Sequence, residues 1–566
     1  METTGSRLLL SVLEAHGIDT AFGYPGGAIM PFYDALPHGR LTHYLVRHEQ
    51  GAAFAAGAYA RTTGRLGVCV ATSGPGATNL VTGLVDAMMD SVPVLAITGQ
   101  VRSGLMGTDG FQEADVVGIT SPCTKHNALV TRAKDIPAAV QRAIRIATTG
   151  RPGPVLVDVT TDALKERITW EGPLGPAPAP KSKSEPNAEA ISELKVLATE
   201  AIAALARSER PVVIVGGGTR IANVIAEFRR LAALIAAPIV ATINGLGTPD
   251  PADDRYLGMF GMHGHKAANL AVSRADCMLA LGMRFDDRVT GDVTKFGRGA
   301  TIIHCDIDPT EIGKIVKADI GIAGDLRATI AALTEVAEVA TMPSYEAWLR
   351  EIDTLRRPLP RARNEQGELS ATDVLDALTA MMEPGTVVAT DVGQHQMWTA
   401  QRVRLRSSRD FLTSAGLGAM GFGIPAAVGA QIARPDDCVV AVVGDGGFQM
   451  TMHELATIRR YELPVKIVVI DNRHLGMVRQ WQELFYDRRI IATDLYDNPD
   501  FCTLASAYGI RAGRVERPED LHDALEEMLK SDTAYLLHCA CFPTENCFPM
   551  VPAGQHIDEM LERTPA

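Results

Sequence analysis

The stretch from Val439 to Gln480 constrains the fold more than any other part of the chain. An apolar, β-branched run, Val439 to Val443, and a second run, Val465 to Ile470, predict two strands, and Met452 to Tyr461 predicts a short helix between them. A strand, a helix and a strand at this spacing form a right-handed unit whose two strands are parallel. The stretch therefore predicts an open α/β sheet.

Two polar residues follow these strands, and both can bind a metal ion. Asp445 lies between Gly444 and Gly446, directly after the first strand, and Asn472 follows the second. Because the carboxyl ends of parallel strands meet at one edge of a sheet, both side chains can reach one crevice. Carboxylate and amide oxygens suit Mg²⁺, and glycines, including Gly447, allow a diphosphate to approach the backbone. The alternative for Asp445 alone is a chance aspartate in an ordinary turn.

Length, charge and cysteine usage narrow the class of protein. A chain of 566 residues is too long for one core, so three domains are expected. No apolar run approaches 18 residues, which argues against a membrane span, and the first residues predict an amphipathic helix rather than a signal peptide. The net charge of −13, with acids and bases interspersed, argues against nucleic acid or an anionic membrane as a partner. Nine dispersed cysteines without zinc spacing predict reduced thiols and a cytoplasmic location.

Residues 1–172 alternate strands and helices, which predicts a doubly wound parallel sheet. The predicted strands are Asp19 to Gly23, Leu41 to Val46, Val68 to Thr72, Pro93 to Thr98 and Arg151 to Val159. A helix rich in alanine and glycine is predicted over Ala52 to Thr62. Glu49 is placed in the loop between the second strand and this helix, beside small residues that would partly bury it. A solvated loop acid is the ordinary interpretation of such a residue.

A Pro-, Ala-, Ser- and Lys-rich linker, Pro173 to Glu189, separates this domain from a second α/β domain over 190–340. The strand Pro211 to Val215 ends in three consecutive glycines, and the strand Thr301 to Asp308 ends in aspartates. Such strand ends can hold the phosphates and ribose hydroxyls of a nucleotide. An α/β domain without a ligand is the alternative.

A second connection, Met342 to Glu368, leads into a third domain over 369–545. A strand over Thr386 to Thr390 is followed by a polar loop and then by a glycine-rich segment, in which Pro425 suits the first turn of a helix. The chain ends in residues 546–566, and the apolar segment Glu545 to Gly554 is interpreted as an arm that packs onto the site. The first and third domains share their coarse strand and helix alternation, which is consistent with two related halves.

Motifs along nearly the whole chain resemble those of the catalytic subunits of the acetohydroxyacid synthase (acetolactate synthase) family of thiamine diphosphate (ThDP) enzymes. The motifs include FGYPGGAI, RHEQGAA, SGPGATN, GTDGFQEAD, RFDDRVTG, DVGQHQMW, GAMGFGIPAA, HLGMVRQW and FPMVPAG. The resemblance implies three doubly wound domains of the decarboxylase and carboligase type. These are an N-terminal pyrimidine-binding domain, a central FAD-binding domain and a C-terminal domain for the diphosphate and Mg²⁺.

The resemblance also implies an activity and partners. Pyruvate is decarboxylated and joined to a second pyruvate or to 2-ketobutyrate, which gives 2-acetolactate or 2-aceto-2-hydroxybutyrate for branched-chain amino acid biosynthesis. ThDP, Mg²⁺ and FAD are the implied cofactors, although the reaction has no net redox change. A homodimer or homotetramer with active sites at the subunit interface is implied, and a separate regulatory small subunit is possible in this family.

Matching the motifs residue by residue implies roles for the residues around the reacting part of the cofactor. Glu49 corresponds to the acid that hydrogen-bonds N1′ of the aminopyrimidine and activates the cofactor. Asp445 and Asn472 correspond to the Mg²⁺ ligands, with the backbone carbonyl of His474 as a third. The residues matched to the substrate side are Gly26, Phe111, Gln112, Met477 and Trp481. A core or interface aromatic is the alternative for Trp481.

The remaining matched residues belong to cofactor-binding loops. Gly418 and Met420 are implied to support the aminopyrimidine. The other residues implied around ThDP are Pro75, Asn79, Val392, Gly393, Gln394, His395, Gly444, Gly446, Gly447 and Met477. The residues assigned to the FAD site are Gly216, Gly217, Gly218, Arg284, Asp306 and Asp325. For Arg284, a solvated surface charge is the alternative.

Four residues depart from the family pattern: Asp471, where the motif usually has asparagine, and Gly110, Asn244 and Ala415. Two competing functions share part of the pattern. A ThDP- and FAD-dependent pyruvate oxidase or decarboxylase shares Glu49 and the Gly-Asp-Gly motif, but RFDDRVTG and the Met477 and Trp481 pair favour the synthase. A non-catalytic paralogue that binds cofactor as a scaffold is disfavoured by the presence of Glu49, Asp445 and Asn472.

Overall fold

A computed structural model describes residues 2–176, 188–361 and 366–564. It contains three six-stranded parallel sheets, one from each third of the chain, flanked by helices, together with a small antiparallel pair, Glu2–Thr4 with Arg167–Thr169. The predicted α/β class with three doubly wound sheets is confirmed. No helix in the described ranges is both long and apolar enough to cross a membrane. All nine cysteines are free.

The first sheet is formed by residues 20–160. Its strands, in order across the sheet, are Thr42–Leu45, Thr20–Gly23, Gly67–Ala71, Val94–Gln100, Val155–Thr160 and His126–Val130. Its helices are Gly5–Ala15, Met30–Ala35, Glu49–Thr63, Pro75–Thr78, Val81–Met89, Val116–Thr120, Ile136–Thr148 and Thr161–Lys165. The inner strands Val94–Gln100 and Val155–Thr160 are buried at every position, because helices cover both faces of a parallel sheet.

The third sheet repeats the strand order of the first. Across the sheet its strands are Phe411–Leu412, Val387–Thr390, Val439–Gly444, Lys466–Asp471, Tyr535–Ala540 and Arg511–Val515. Its helices are Ala371–Met381, Gln394–Arg402, Gly423–Ala433, Asp445–Thr451, Leu455–Arg460, Gly476–Phe485, Phe501–Ala507 and Leu521–Lys530. With strands numbered in chain order within each domain, both sheets read 2-1-3-4-6-5. This shared topology supports the interpretation of two related halves.

The central sheet has the order 3-2-1-4-5-6, which is the order of dinucleotide-binding doubly wound folds. Across the sheet its strands are Tyr256–Met259, Ile239–Ala241, Pro211–Val215, Cys277–Leu281, Thr301–Asp306 and Ile320–Ala323. Its helices are Ala188–Arg207, Gly217–Ala222, Ile225–Ile235, Lys266–Arg274, Asp287–Thr290 and Leu326–Val339. In all three sheets the order reverses beside the first strand, and ligand crevices form outside such reversals.

The structure differs from the sequence prediction at several element boundaries. The helix predicted from Ala52 begins at Glu49, because the His48 side chain caps it by accepting a hydrogen bond from the Gln50 amide at 3.1 Å. The segment after Gly444, predicted as a loop before a helix at Met452, is already helical from Asp445. The strand from Thr301 ends at Asp306, where its carboxylate accepts from the Asp308 amide.

The connection predicted over Met342 to Glu368 contains a helix, Glu346–Asp353. Its Trp348 is buried and donates from Nε1 to the carbonyl of Pro211 at 3.1 Å, so this helix packs onto the central sheet. Most of the predicted linker before residue 190, namely 177–187, lies outside the described residues.

The first and third domains pack through two helices rich in small residues, Glu49–Thr63 and Gly423–Ala433. Gly429 lies against the backbone of the partner helix, where an added Cβ would fall 2.1 Å from the carbonyl oxygen of Ala55. The two backbones can approach this closely only because position 429 has no side chain. This contact fixes the helix that begins at Glu49 against the third domain.

We expect Gly429→Ala to destabilise this contact, because its methyl group meets backbone rather than a movable side chain. Overpacking of about 1–3 kcal/mol predicts a melting temperature lower by roughly 2–10 °C. Gly104→Ala is the matched control, since nothing lies within 4 Å of its added Cβ. Equal melting temperatures for the two variants in scanning calorimetry would contradict the proposed tight contact.

Candidate active site

A pocket opens where the third sheet reverses its strand order, between the ends of Val387–Thr390 and Val439–Gly444. Twelve of the residues predicted to bind the cofactor or metal line it. These are Val392, Gly393, Gln394, His395, Met420, Gly444, Asp445, Gly446, Gly447, Asn472, His474 and Met477. Residues far apart in sequence meet here because the strands that precede them are parallel neighbours.

Two buried carboxylates share one amide beside this pocket. Asn498 donates from Nδ2 to Asp445 Oδ2 at 2.8 Å and to Asp471 Oδ1 at 3.1 Å, and its own Oδ1 accepts from Gln449 at 2.8 Å. Burial, followed by the charge of Asp471, raises the pKa of Asp445. On the other side of Asp471, His538 lies 2.8 Å away and holds the pKa of that carboxyl low against the opposing effect of burial. The pair thus carries negative charge that a bound cation would balance.

Hydrogen bonds fix the orientation of the Asn472 side-chain amide. Its Nδ2 donates to Gln394 Oε1 at 3.3 Å, which leaves its Oδ1 at the loop, where the His474 amide donates to it at 3.1 Å. Gln394 is itself fixed by donating to Gln480 and to the carbonyl of Glu545. Gly476 is required here, because an added Cβ would lie 2.0 Å from Gln394 Oε1. The amide oxygen of Asn472 is therefore available as a hard ligand on the side of Asp445.

An unsatisfied polar atom in the wall indicates that the pocket has space for a polar group. His395 is buried, burial lowers its pKa to about 4, and its Nε2 has no hydrogen-bond partner among the described residues. A neutral imidazole, flexible glycine backbone and a carboxylate-amide pair fit a diphosphate held through Mg²⁺. The residues present fit the predicted group. The described ranges contain no cluster of three or more His, Cys, Asp or Glu side chains that could hold a metal ion by themselves. A cation in this pocket would therefore be bound by Asp445, Asn472 and backbone or phosphate oxygens.

Asp391 organises the glycine-rich loop over this pocket. It is fully buried and accepts from the amides of Val392 at 2.8 Å, Gly421 at 3.0 Å and Gly423 at 2.9 Å. Burial raises its pKa to about 6. The loop it fixes presents Met420 to the pocket, whereas Gly418, in a left-handed conformation with φ +69°, lies outside the lining with Val392 as its neighbour.

Glu49 belongs to a second cluster, at the strand-order reversal of the first sheet. It is 9 % exposed, and Asn79 Nδ2 donates to its Oε2 at 2.9 Å. Gly76, one residue after Pro75, lies beside its other oxygen, and Gly26 lies against Thr72 so closely that a Cβ would clash. The structure thus brings Glu49, Asn79, the Pro75 turn and Gly26 to one edge.

Phe111 and Gln112 lie on a loop next to this second cluster. The Gln112 backbone, at φ +59°, packs against Gly74, and the Phe111 side chain is 88 % exposed. The Phe111 ring is therefore accessible to a ligand or to another chain.

The third-domain pocket and the Glu49 cluster have separate sets of residues. The lining of the third-domain pocket, over the described residues, comes entirely from positions 392–478, and Glu49 is not part of it. Nothing in the lining therefore supplies the acid that the motif requires.

Met477 lines the pocket from the helix Gly476–Phe485, together with Val478. Trp481 lies one turn beyond Met477 on the same face of that helix, outside the lining. It is partly buried, and its Nε1 has no partner among the described residues.

The segment after the last strand packs against the same helix. Gln480 donates to the carbonyl of Cys547 at 3.0 Å and accepts from its amide at 2.7 Å. Glu545 accepts from the Ala371 amide at 2.8 Å and from the Thr372 hydroxyl at 2.6 Å. The predicted arm therefore rests on the elements behind the pocket.

A larger cavity, of about 530 Å³, opens at the reversal of the central sheet. Gly217, Gly218, Arg284, Asp306 and Asp325 line it, as predicted for the central site. Gly216 lies behind the lining, where a Cβ would clash with the carbonyl of Gly282 at 2.2 Å, so it allows close strand packing rather than ligand contact.

The two aspartates of this cavity have different partners. Asp325 caps the helix Leu326–Val339, with its Oδ1 accepting from the amides of Arg327 and Ala328. Asp306 is buried, which raises its pKa, and its Oδ1 accepts from the Asp308 amide at 2.9 Å, the one hydrogen bond of this carboxylate with the described residues. Each therefore keeps one carboxylate oxygen for a ligand. Arg284 lies 3.8 Å from Asp286.

Several residues of these sites were absent from the sequence prediction. Trp398, Leu475, Gly476 and Val478 line the third-domain pocket, and Asn498 bridges its two carboxylates. Trp398 and Gly476 stand within or next to motifs that were recognised, so a helical-face argument could have found them. Asn498 is separated from Asp445 by 53 positions and lies in an irregular segment, where no periodicity signals its direction.

Comparisons with known proteins agree along the whole chain. Residues 3–119 match the model of the thiamine pyrophosphate enzyme N-terminal TPP binding domain, residues 198–333 that of the central domain and residues 391–539 that of the C-terminal TPP binding domain. The chain is 46% identical over 561 residues to the acetolactate synthase isozyme 2 large subunit of Escherichia coli (strain K12), covering 99% of both chains. It is 43% identical over 570 residues to a probable acetolactate synthase large subunit of Methanocaldococcus jannaschii, covering 99% of this chain and 95% of that one. It is 42% identical over 561 residues to the acetolactate synthase large subunit of Lactococcus lactis subsp. lactis, covering 99% and 96%.

We expect the attachment of the arm to depend on pH through Glu545. Burial raises the pKa of Glu545 to about 7, above its usual 4.5. Its stabilising contribution is therefore complete below about pH 4.5 and is lost as the pH rises through about 7. Glu545→Gln mimics the protonated form, since its amide can both donate to Thr372 and accept from Ala371. The melting temperature of the wild type should fall relative to that of this variant between about pH 5 and pH 8, and parallel curves would contradict the assignment.

Proposed function

The chain belongs to the acetolactate synthase large-subunit family of thiamine diphosphate enzymes, and on this premise we propose that it catalyses the synthesis of acetolactate. It decarboxylates pyruvate and joins the remaining two-carbon unit to a second pyruvate or to 2-ketobutyrate, in branched-chain amino acid biosynthesis. The observation that carries the proposal is the third-domain pocket, where Asp445, Asn472 and His395 converge with glycine backbone at the strand-order reversal. This set of groups suits a diphosphate and its cation.

The residues of the pocket have distinct proposed tasks. ThDP, when bound, supplies the electron sink that decarboxylation of a 2-ketoacid requires. Asp445, Asn472 and the carbonyl of His474 would hold Mg²⁺ on the diphosphate, and Asn498 would keep the Asp445 carboxylate in position. The diphosphate would be bound by two loops, Val392, Gly393 and Gln394 on one side and Gly444, Gly446 and Gly447 on the other. Met420 and Gly418 would support the pyrimidine, and Met477 and Trp481 would form the wall toward the acceptor ketoacid.

Glu49 would act from the other cluster. Its carboxyl, oriented by Asn79, would hold a proton at N1′ of the aminopyrimidine, in a site from which buried neighbours exclude water. Pro75 and Gly26 would shape this side, and Phe111 and Gln112 would approach the substrate. Glu49 is not among the residues that line the pocket of its own chain, and a second copy would supply it in a homodimer or a homotetramer with interfacial sites.

The central cavity is the proposed FAD site. Its position at the reversal of a 3-2-1-4-5-6 sheet, its glycines and its aspartates Asp306 and Asp325 support a dinucleotide with two ribose-like parts. Arg284 would contact the flavin nucleotide. FAD would have a structural role, because the proposed reaction has no net redox change.

Further features of the protein follow from the same proposal. The domains would be pyrimidine-binding over 1–172, FAD-binding over 190–340 and diphosphate-binding over 369–545, with an arm over 546–566. A separate small subunit is a proposed partner, because the relatives are described as large subunits. The nine free cysteines support a cytoplasmic location.

The function is tested by product analysis with purified protein, ThDP, Mg²⁺ and FAD. Pyruvate alone should give 2-acetolactate, and addition of 2-ketobutyrate should give 2-aceto-2-hydroxybutyrate as well. Oxygen uptake equal to pyruvate consumption would indicate an oxidase instead, and release of acetaldehyde would indicate a decarboxylase. Retention of ThDP without turnover would indicate the scaffold function.

The interfacial site predicts complementation between two inactive variants. Glu49→Gln should lower the rate by roughly 10² to 10⁴, because it cannot carry the proton, and should still bind ThDP. Asp445→Ala should fail to retain ThDP in Mg²⁺ buffer. A mixed dimer, purified through a different tag on each subunit, contains one site with both wild-type residues and should regain roughly half of wild-type activity.

The control is a dimer in which one subunit carries both substitutions and the other carries none. If each site uses residues of both subunits, this dimer has two damaged sites and stays inactive. If each site lies within one chain, the control is active and the mixed dimer of single variants is not. The two arrangements of the active site therefore predict opposite results for the two dimers.

A further inference from the structure

Three arginines, one from each domain, converge at one end of the central cavity. Arg61 comes from the first domain, Arg220 follows the glycines of the central domain, and Arg409 precedes the edge strand of the third. Each lines the cavity, and the charges of Arg61 and Arg409 both act on Arg220. This gathering of positive charge is independent of the residues that the motifs point to.

The nearby carboxylates are already engaged. Arg61 pairs with Asp86 at 2.9 Å and with Asp90 at 3.0 Å, and both pairs are buried. Asp90 also accepts from Asn244 Nδ2 at 3.1 Å and from the backbone amides of Ala415 and Gly416 at 3.1 and 3.0 Å. Arg61 thus takes the direct ion pairs of Asp86 and Asp90, and neither carboxylate forms an ion pair with Arg220 or Arg409.

Arg220 and Arg409 have no ion-pair partner in the described ranges, although the charges of Asp90 and Asp86 act favourably on Arg220 from a distance. Arg220 is only 4 % exposed, and its side chain forms no hydrogen bond or ion pair with any residue in the described ranges. Arg409 packs against Gly64, and its Nε is buried without a partner in the same part of the chain. Burial lowers the pKa of Arg220 to about 10, so it still carries its charge near neutral pH. A buried cation without a direct partner is costly, which indicates that an anion belongs at this end of the cavity.

The chemistry of the two groups identifies the class of anion. A guanidinium offers a planar fork of donors that matches phosphate oxygens in bidentate fashion. Two unpaired cations balance the two negative charges of a diphosphate diester, and Gly217 and Gly218 leave backbone open beside them. We propose that Arg220 and Arg409 form a phosphate subsite of the central cavity, which takes the diphosphate of the bound dinucleotide. The inference rests on the proposed FAD site, but its test can fail separately.

The primary test compares Arg220→Leu with the wild type in titrations followed by flavin fluorescence, using full-length protein freed of flavin. Loss of a charge-assisted contact predicts a Kd for FAD that is higher by about 10- to 100-fold, while riboflavin, which lacks phosphate, binds both proteins equally. Arg409→Leu should act in the same direction. Arg230→Leu is the matched control, because it removes an exposed arginine of the same domain. Unchanged FAD affinity in Arg220→Leu, or an equal loss for FAD and riboflavin, would overturn the subsite.

A stability measurement separates a binding role from a structural one. Because Arg220 is buried and unpaired, Arg220→Leu should melt at a higher temperature than the wild type when both are free of flavin. At a FAD concentration that saturates the wild type, the variant should melt at a lower temperature than the wild type. A variant that is less stable in both states would mean that Arg220 supports the fold, and would overturn the proposal. Arg220→Lys keeps the charge and should retain part of the FAD affinity.

Inorganic pyrophosphate distinguishes the source of the phosphate. It should raise the melting temperature of the flavin-free wild type and leave that of Arg220→Leu unchanged. If pyrophosphate gives this difference but FAD does not bind, the phosphate subsite stands and the FAD assignment fails. If FAD binds both proteins equally and pyrophosphate stabilises neither, the FAD assignment stands and the subsite fails.

Discussion

Buried charge that the protein does not compensate by itself governs both proposed cofactor sites. In the third domain, Asp445 and Asp471 are buried together, and the basic side chain of His538 lies 2.8 Å from Asp471. In the central cavity the imbalance has the opposite sign, since Arg220 and Arg409 lack partners among the described residues. In both arrangements desolvation penalises the buried charges, and the neighbouring groups offset this cost only in part. A divalent cation suits the first site and a diphosphate suits the second.

Sheet topology explains why these groups gather where they do. The first and third sheets share the order 2-1-3-4-6-5, and the central sheet has 3-2-1-4-5-6. In each, two chain segments leave neighbouring strands in opposite directions and open a crevice, into which the residues after the strands project. Glu49 with Asn79, Gly217 with Arg284, and Asp445 with Asn472 all follow strands at or next to these reversals, although not the same strands in each sheet. One physical rule thus positions the groups of all three sites, while the residue types decide what each can bind.

The same rule separates what could be predicted from sequence from what could not. The strands were predictable because buried parallel strands are continuous apolar runs, and Asp445 and Asn472 were found because they follow such runs directly. Helix starts were less predictable: the helix at Glu49 depends on a histidine cap, and the helix at Asp445 begins among glycines that read as a loop. Asn498 could not be predicted, because it lies in an irregular segment without periodicity. Arg220 lies in the short helix Gly217–Ala222, but its setting arises from Arg61 and Arg409 of the other two domains. Asp471 and Asn244 depart from the family pattern, and only the structure shows what they contact. Asp471 lies 2.8 Å from His538, and Asn244 donates a hydrogen bond to Asp90.

The departures also connect the two sites to the packing between domains. Asn244 of the central domain and the Ala415 amide of the third both donate to Asp90 of the first, so a single buried carboxylate ties three domains together. Arg61, which also binds Asp90, belongs to the helix that begins at Glu49 and packs on Gly423–Ala433 through the Gly429 contact. An anion that engages Arg220 and Arg409 would therefore be held between domains that also carry Glu49 and the Asp391-anchored loop. Filling the central cavity would fix the relative positions of these elements, which gives a non-redox dinucleotide a structural reason to be present.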